Sequence, residues 1–539
     1  MRRWLPLALQ LPLVALVLGM LGLFLYDASA RASYPYDIEW MEGGMLAHAW
    51  RLRQGLGLYT PPDAAWVPYI YPPLYPWLLS LLGEPSYEVA RWLSASGTLA
   101  AMAAAIFAVR REGAHWGLAL AAGGLWLSCY DDSGTFYDLV RNDALAIGLA
   151  SWSFALCRVG TRRAVIASGL LLFLAFLAKH NYAAWGVVML GWLVKTRGWR
   201  RGLEFAAASV VPALTATVAI QIVTDGYFLT YLLEVPGRHP LNAQRAWPVS
   251  EKELALCLAF TSGGALLVGL YALVKRRFSE GGVYWGMVLA MAIGLSILMR
   301  AHHGGYVNVL MPGHWTLAVC GAAMLAALTR WFKHPLFLAG VVALTSWQLW
   351  YGRWDDSDML PTDEDRAAGD QVVEQLRELD GTVYAPHFPW YPVMAGKQPS
   401  TPLISLWDIN HKDGPMYEES LLFDQALADH KWDYLLMPSR TMKHGMDKHY
   451  VRETRVNLKG SKTFMTRTGW RTRPAWIYVP KTESTSRGSA RTKPDKAALA
   501  ADEQVPAVDD QGPGADQVDD DGLEPAAITE PEPAPSQGP

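Results

Sequence analysis

The sequence predicts a polytopic α-helical membrane protein of about eleven transmembrane helices, with a small C-terminal extracytoplasmic α/β domain and a disordered acidic tail. Three observations carry this. Of 539 residues 51% are apolar and 18% charged, below the ~25% charged of soluble domains. The shortfall is uneven, because residues 1–351 are apolar runs broken by short charged loops whereas 352–539 read as soluble. Lys and Arg crowd every second loop, as cytoplasmic loops of membrane proteins do.

The elements follow in order. Met1-Arg2-Arg3 precedes an apolar run from Trp4 to Tyr26, longer than the ~7–15 residues of a signal-peptide core. Although Ala28-Ser29-Ala30 has the form of a cleavage site, the length favours an uncleaved anchor. Apolar stretches recur near 5–26, 87–109, 115–130, 143–157, 164–178, 182–194, 203–223, 253–274, 283–299, 306–328 and 335–351. Basic clusters at Arg2/Arg3, Arg110/Arg111, Arg158/Arg162/Arg163, Lys195/Arg197/Arg200/Arg201, Lys275/Arg276/Arg277 and Arg330/Lys333 mark one side. The N-terminus is therefore expected in the cytoplasm. Loops 27–86, 131–142, 179–181, 224–252 and 300–305, with everything after 352, fall outside, and parity matters more here than the count.

Within the first outer loop, Met45–Leu58 has apolar residues at helical spacing against Arg51, Arg53 and Gln54, the pattern of a helix lying in the headgroup plane. The Tyr-, Trp- and Pro-rich run from Tyr69 to Trp77 fits a membrane interface. The domain expected over 352–481 begins with an amphipathic helix from Asp363 to Leu379. It continues with a strand at Thr382–Ala385, an aromatic loop at His387–Tyr391, a helix at Tyr417–His430, and strands at Tyr434–Met437 and Ala475–Val479. Residues 482–539 are too polar and acidic to bury a core. Cys129, Cys157, Cys257 and Cys320 lie in or beside apolar spans, with a spacing that indicates neither a zinc site nor a disulfide framework.

Asp37, Glu39 and Glu42 stand within six residues of one another in the first outer loop. Glu42-Gly43-Gly44 is followed by Gly55-Leu56-Gly57-Leu58-Tyr59 and then Tyr71-Pro72-Pro73-Leu74-Tyr75. In order and spacing this stretch resembles polytopic glycosyltransferases of the GT-C class, especially the dolichyl-phosphate-mannose-dependent and RgtA/B/C/D-like membrane families. The resemblance implies a GT-C-like fold over 1–351 and a catalytic carboxylate in this loop. Many relatives carry adjacent Asp-Glu with the Asp catalytic. Met41 occupies that first position here, so position points to Glu42, side-chain length to Asp37, and Glu39 stays open between them.

Arg141-Asn142-Asp143-Ala144-Leu145 is similar to the Arg-x-Asp-x-Leu element of the same proteins. The resemblance also supports a functional lysine at Lys179, where Lys179-His180-Asn181 interrupts two apolar spans. Plainer roles are an Arg141 pair with Asp138 or Asp143, and a Lys179 that snorkels. Arg300, His302 and His303 form the densest polar cluster at a later span end. Adjacent histidines without a third ligand support a metal poorly, so no cofactor is expected and the cluster reads as phosphate-binding.

Glycosyl transfer needs a carboxylate that deprotonates or orients the acceptor, opposite cations that stabilise a leaving phosphate. The donor implied is a polyprenyl-phosphate-linked sugar, the acceptor a glycan, lipid or protein, and the location the bacterial inner (plasma) membrane; nothing points to nucleic acid. Two other functions remain open: a transporter or flippase of lipid-linked glycans, in which the same charges mark a pathway, and an inactive scaffold.

Overall fold

The computed structural model describes residues 10–275, 279–439 and 446–482. The expected tail, beyond its first residue, lies outside these. A helix stands at each of the eleven apolar stretches, and five segments are long and apolar enough to cross a membrane: Leu11–Ala32, Tyr87–Arg111, Trp199–Val223, Glu280–Ala301 and Val307–Trp331. The others are shorter. Trp116–Leu127 has 12 residues, a length of ~18 Å that does not reach across a ~30 Å hydrocarbon core.

The first helix ends at Ala32 rather than near residue 26. It continues past its apolar window because its two late charges are buried with partners. Trp354 Nε1 donates to Asp27 at 2.7 Å, and Arg31 pairs with Asp138 at 2.9 Å. On the outside of the bundle, Trp199–Val223 exposes Val211, Leu214, Ile222 and Val223, an apolar face suited to lipid.

The central contact is between Tyr87–Arg111 and Asn142–Val159. A Cβ on Gly97 would lie 2.4 Å from the Ala144 carbonyl oxygen, and one on Gly148 would lie 2.5 Å from that of Gly97. Only glycine permits this approach, the small-residue packing typical of membrane helices. It brings the segments carrying Arg91 and Arg141 together beneath the acidic loop.

The helix expected over 45–58 runs instead from Glu42 to Arg53, and its first two turns are buried. That stretch is covered by protein. Tyr69 donates to the Met41 carbonyl at 2.8 Å, and Met45, Leu46 and Ala49 share an apolar cluster with Trp390, Leu403 and Leu406 of the C-terminal domain. Gly55, at φ +71°, follows the helix end in the left-handed conformation. Tyr59 then donates to the Tyr71 carbonyl at 2.7 Å, which ties the Gly-x-x-x-Tyr and Tyr-Pro-Pro-Leu elements together.

The C-terminal segment forms a four-stranded sheet of order β1-β2-β4-β3, from β1 (Val383–Tyr384), β2 (Tyr434–Met437), β3 (Tyr450–Arg455) and β4 (Trp476–Pro480). β1 and β2 are parallel and the other pairs antiparallel. Strand β3, YVRETR, is not visible in the apolar pattern because it is an edge strand whose charged residues face solvent. The helix Asp363–Arg377 starts with a capping box in which Thr362 and Asp365 satisfy each other's backbone N–H. Asp365 also pairs with Arg467 at 2.5 Å. That bond anchors the 463–472 loop, and Arg467 N–H then donates to the Ile38 carbonyl at 2.7 Å. The domain thus roofs the acidic loop directly.

Candidate active site

The three acidic residues of the first loop occupy three different environments. Glu42 is fully buried, and its carboxylate accepts from the Ile38, Glu39 and Val140 N–H groups at 2.7, 3.2 and 2.8 Å. It also receives Arg91 Nε and Nη2 at 3.0 and 2.6 Å. Burial alone would raise its pKa; the Arg91 guanidinium outweighs that and holds it below the ordinary value. Asp37, also buried, accepts from Gly43 N–H at 2.9 Å and Tyr87 Oη at 2.8 Å. Burial, reinforced by Glu42, pushes Asp37 well above the usual carboxylate range.

Glu39 lines a cavity shared with Arg141 and Lys179. The cavity, of about 180 Å³, is walled by Glu39, Tyr71, Arg141, Lys179, His302 and His303. Glu39 Oε2 lies 3.1 Å from Arg141 Nη1 and accepts from Met41 N–H at 3.2 Å. Burial raises its pKa to about 7, against the pull of Arg141. Gly469, at φ +69°, closes over it, and a Cβ there would stand 2.9 Å from Glu39 Oε1. Trp40, next in sequence, packs against Trp470 and Trp407 with ring centroids 5.5 and 5.9 Å away. The roof therefore presents a glycine where the carboxylate is and tryptophans beside it.

Arg141, at the N-cap of its helix, is extended (φ −139°, ψ 151°), which turns its side chain toward the loop. It pairs with neither Asp138 nor Asp143. Asp138 is taken by Arg31, and Asp143 accepts from Lys179 Nζ at 2.5 Å and Asn308 Nδ2 at 2.9 Å. Arg141 is left to Glu39, to Met41 Sδ at 2.8 Å and to Tyr71 Oη at 3.2 Å. Lys179 follows the last turn of Arg162–Ala178 as its extended C-cap. It is thus held by Asp143 at the cavity wall and does not snorkel.

His302 and His303 lie on this cavity and Arg300 does not. Arg300 makes a two-point contact with Glu253 at 3.0 and 3.1 Å and donates to the Gly305 carbonyl at 2.7 Å. It faces a second, larger cavity of about 650 Å³, which shares Tyr306 and Gly469 with the first.

The structure brings further residues to this cavity, among them His239, one of the loop charges Asp225, Glu234, Arg238, His239 and Arg245 that the sequence offers only as a solvated set. His239 stacks near His302, His303 and His411, with centroids 5.4, 5.7 and 4.9 Å apart. Asp408, on the same cavity, is pushed by burial up to about 8, and lies 3.8 Å from His239 Nε2. His239 had a signal, as one of several polar residues in a long outer loop; His411 and Asp408 come from the roof and had none. Arg91 did carry a signal, as a charge inside an apolar span.

No protein-family model matches the chain, and no curated protein matches it in sequence. Among solved structures the chain is similar to ArnT from Cupriavidus metallidurans bound to undecaprenyl phosphate. The TM-score is 0.56 at 12% identity, over 87% of this chain and 98% of that one. The apo state of the same protein gives 0.53 at 12% identity, over 86% and 98%. The likeness runs through the helical bundle and into the C-terminal domain. The chain has the GT-C-like fold of a multi-pass membrane protein, as the Tyr36–Trp77 stretch implied.

Proposed function

We propose that this chain transfers a sugar from a polyprenyl-phosphate-linked donor to a hydroxyl or amine of a glycan, lipid or protein acceptor at the extracytoplasmic face. The observation that supports this best is the placement of Glu39 and Arg141, 3.1 Å apart and buried, on the same cavity as Lys179, His302 and His303. One wall supplies a carboxylate poised near neutrality, suited to general-base work. The other supplies cations for the phosphate. In that arrangement the acceptor's nucleophilic atom attacks the anomeric carbon and gives its proton to Glu39. The carbon–oxygen bond to phosphate breaks, and polyprenyl phosphate leaves toward Lys179, Arg141 and the histidines.

On this reading Glu39 is the base, while Glu42 and Asp37 shape the loop that presents it. Arg300 sits one cavity away, so its role is to hold Glu253 and the 300–305 turn. The second cavity, which shares the lining residues Tyr306 and Gly469 with the first, gives the acceptor a separate approach. The relative bound to undecaprenyl phosphate supports a polyprenyl carrier.

Purified protein in detergent or nanodiscs, given a panel of polyprenyl-phosphate sugars and membrane-extract acceptors, tests this. Release of free polyprenyl phosphate with sugar appearing on an acceptor, lost in Glu39→Gln, is the expected result. Movement of intact donor between leaflets without its cleavage would establish the flippase, and binding with neither outcome would establish the scaffold.

A further inference from the structure

Two of the four cysteines, 128 positions apart in the chain, come together. Cys129 lies just past the helix Trp116–Leu127, and Cys257 follows the irregular turn Val249–Leu256. Their sulfurs and a carboxylate oxygen of Asp132 all lie within 4.8 Å of one another. Asp132 lines the 650 Å³ cavity on the roofed side of the bundle, so the trio has a route to solvent. Beneath it sits His314, fully buried, with Nδ1 3.0 Å from Ser133 Oγ and Nε2 2.7 Å from the Glu253 carbonyl. That imidazole is held by the two segments that carry the cysteines.

We propose that Cys129, Cys257 and Asp132 form a site for a thiophilic divalent cation of the zinc class. Two sulfurs and one carboxylate favour zinc over magnesium or calcium, which take all-oxygen shells. A tetrahedral ion with Zn–S near 2.3 Å needs the sulfurs about 3.8 Å apart, within reach of the present spacing. Binding displaces the two thiol protons to solvent, and water fills the fourth position. The cation fastens the 129–133 turn to the 249–258 segment. That segment carries Glu253, the partner of Arg300, so the ion braces the wall of the second cavity without touching the site proposed for glycosyl transfer.

The test uses the full chain in detergent, stripped with chelator and titrated with Co²⁺ as the spectroscopic probe. One equivalent should produce a sulfur-to-cobalt charge-transfer band and tetrahedral visible bands, and one equivalent of Zn²⁺ should bleach both. Cys129→Ser and Cys257→Ser should each abolish the charge-transfer band, Asp132→Asn should weaken Co²⁺ binding, and Cys157→Ser and Cys320→Ser should change nothing. Should the serine variants aggregate, Zn²⁺ protection of Cys129 and Cys257 against alkylation in the unaltered protein gives the same reading. Three results overturn the proposal: no sulfur band in the unaltered protein, a band that survives both substitutions, or a Cys129–Cys257 disulfide in non-reducing peptide maps.

Discussion

Arg91 spends all five of its guanidinium N–H groups on the segment from Arg31 to Glu42. Nε and one Nη2 proton go to the Glu42 carboxylate, and the other three go to the carbonyls of Arg31, Tyr34 and Tyr36 at 2.8, 2.5 and 2.6 Å. Both side chains are fully buried. A buried pair in which one partner is deleted leaves the other charge stranded, at a cost of ~3–5 kcal/mol. Glu42→Gln and Arg91→Met are therefore expected to lower the thermal unfolding temperature in detergent. The double variant should be less damaged than the sum of the two, since a cycle reports the coupling. If Glu42→Gln kept its stability and lost turnover, Glu42 and not Glu39 would be the reacting carboxylate.

Glu39→Gln should reduce kcat by ~10²–10⁴-fold, the usual loss for a positioned general base, in protein assayed well below its unfolding temperature. That temperature should itself fall, because the buried Arg141 loses its carboxylate. Because burial lifts the Glu39 pKa to about 7, kcat/KM should rise with pH up to neutrality and level off above it. Arg141→Gln removes the cation that opposes this lift, so the limb should move to higher pH. The stability sign is fixed by the same shift. A carboxyl that titrates near 7 when folded and at 4.5 when unfolded binds more protons in the folded state between those values. Its contribution to stability therefore falls as pH rises through that window and is constant below it. A pH-independent kcat/KM between 5 and about 8 would remove Glu39 from the chemistry.

The bundle was legible because hydropathy and loop charge act over many residues and survive errors at any one of them. A candidate site could be read from the sequence because the acidic loop and the Tyr-Pro-Pro-Leu element are local. What failed to show was the choice among Asp37, Glu39 and Glu42, because it depends on which partner each finds: Arg91 from 49 positions away, Arg141 from 102, Tyr87 from 50. Glu42 matches the family position, yet its carboxylate is consumed by Arg91 and backbone. The cover over the helix Glu42–Arg53 was hidden for a related reason, since its apolar residues face the roof, and amphipathicity does not say whether lipid or protein covers an apolar face. Cys129 and Cys257 were invisible as a pair because no short spacing links them.

Lys179→Ala and Arg300→Ala separate the two cavities. Lys179 touches Asp143 and lines the first cavity, so its loss should raise the KM for donor and slow turnover. Arg300 lies outside that cavity, bonded to Glu253, so its loss should leave donor KM within about twofold and alter acceptor dependence instead. An Arg300→Ala variant with the larger donor defect would return Arg300 to the phosphate.

The remaining expectation concerns sidedness, and the structure supplies its own argument. Basic loops distant in sequence converge at one end of the bundle. Arg158 pairs with Glu112 at 2.9 Å and with Glu280 at 3.6 Å, Arg197 reaches Glu280 at 2.9 Å, and Arg330 donates to the Glu112 carbonyl at 2.6 Å. The acidic loop, Lys179, the 300–305 turn and the whole roof gather around the cavities instead, joined by Arg467 to Ile38 and by Thr468 Oγ1 to the Gly134 carbonyl at 2.8 Å. Loops rich in Lys and Arg are retained in the cytoplasm, so the roof and its cavities should face outward. A reporter that is active only outside the cytoplasm, fused after Thr482, should be active, and the same reporter placed in the Arg158–Arg163 loop should be silent. The reverse pattern would put the cavities on the cytoplasmic face and turn the proposed donor into one presented from inside.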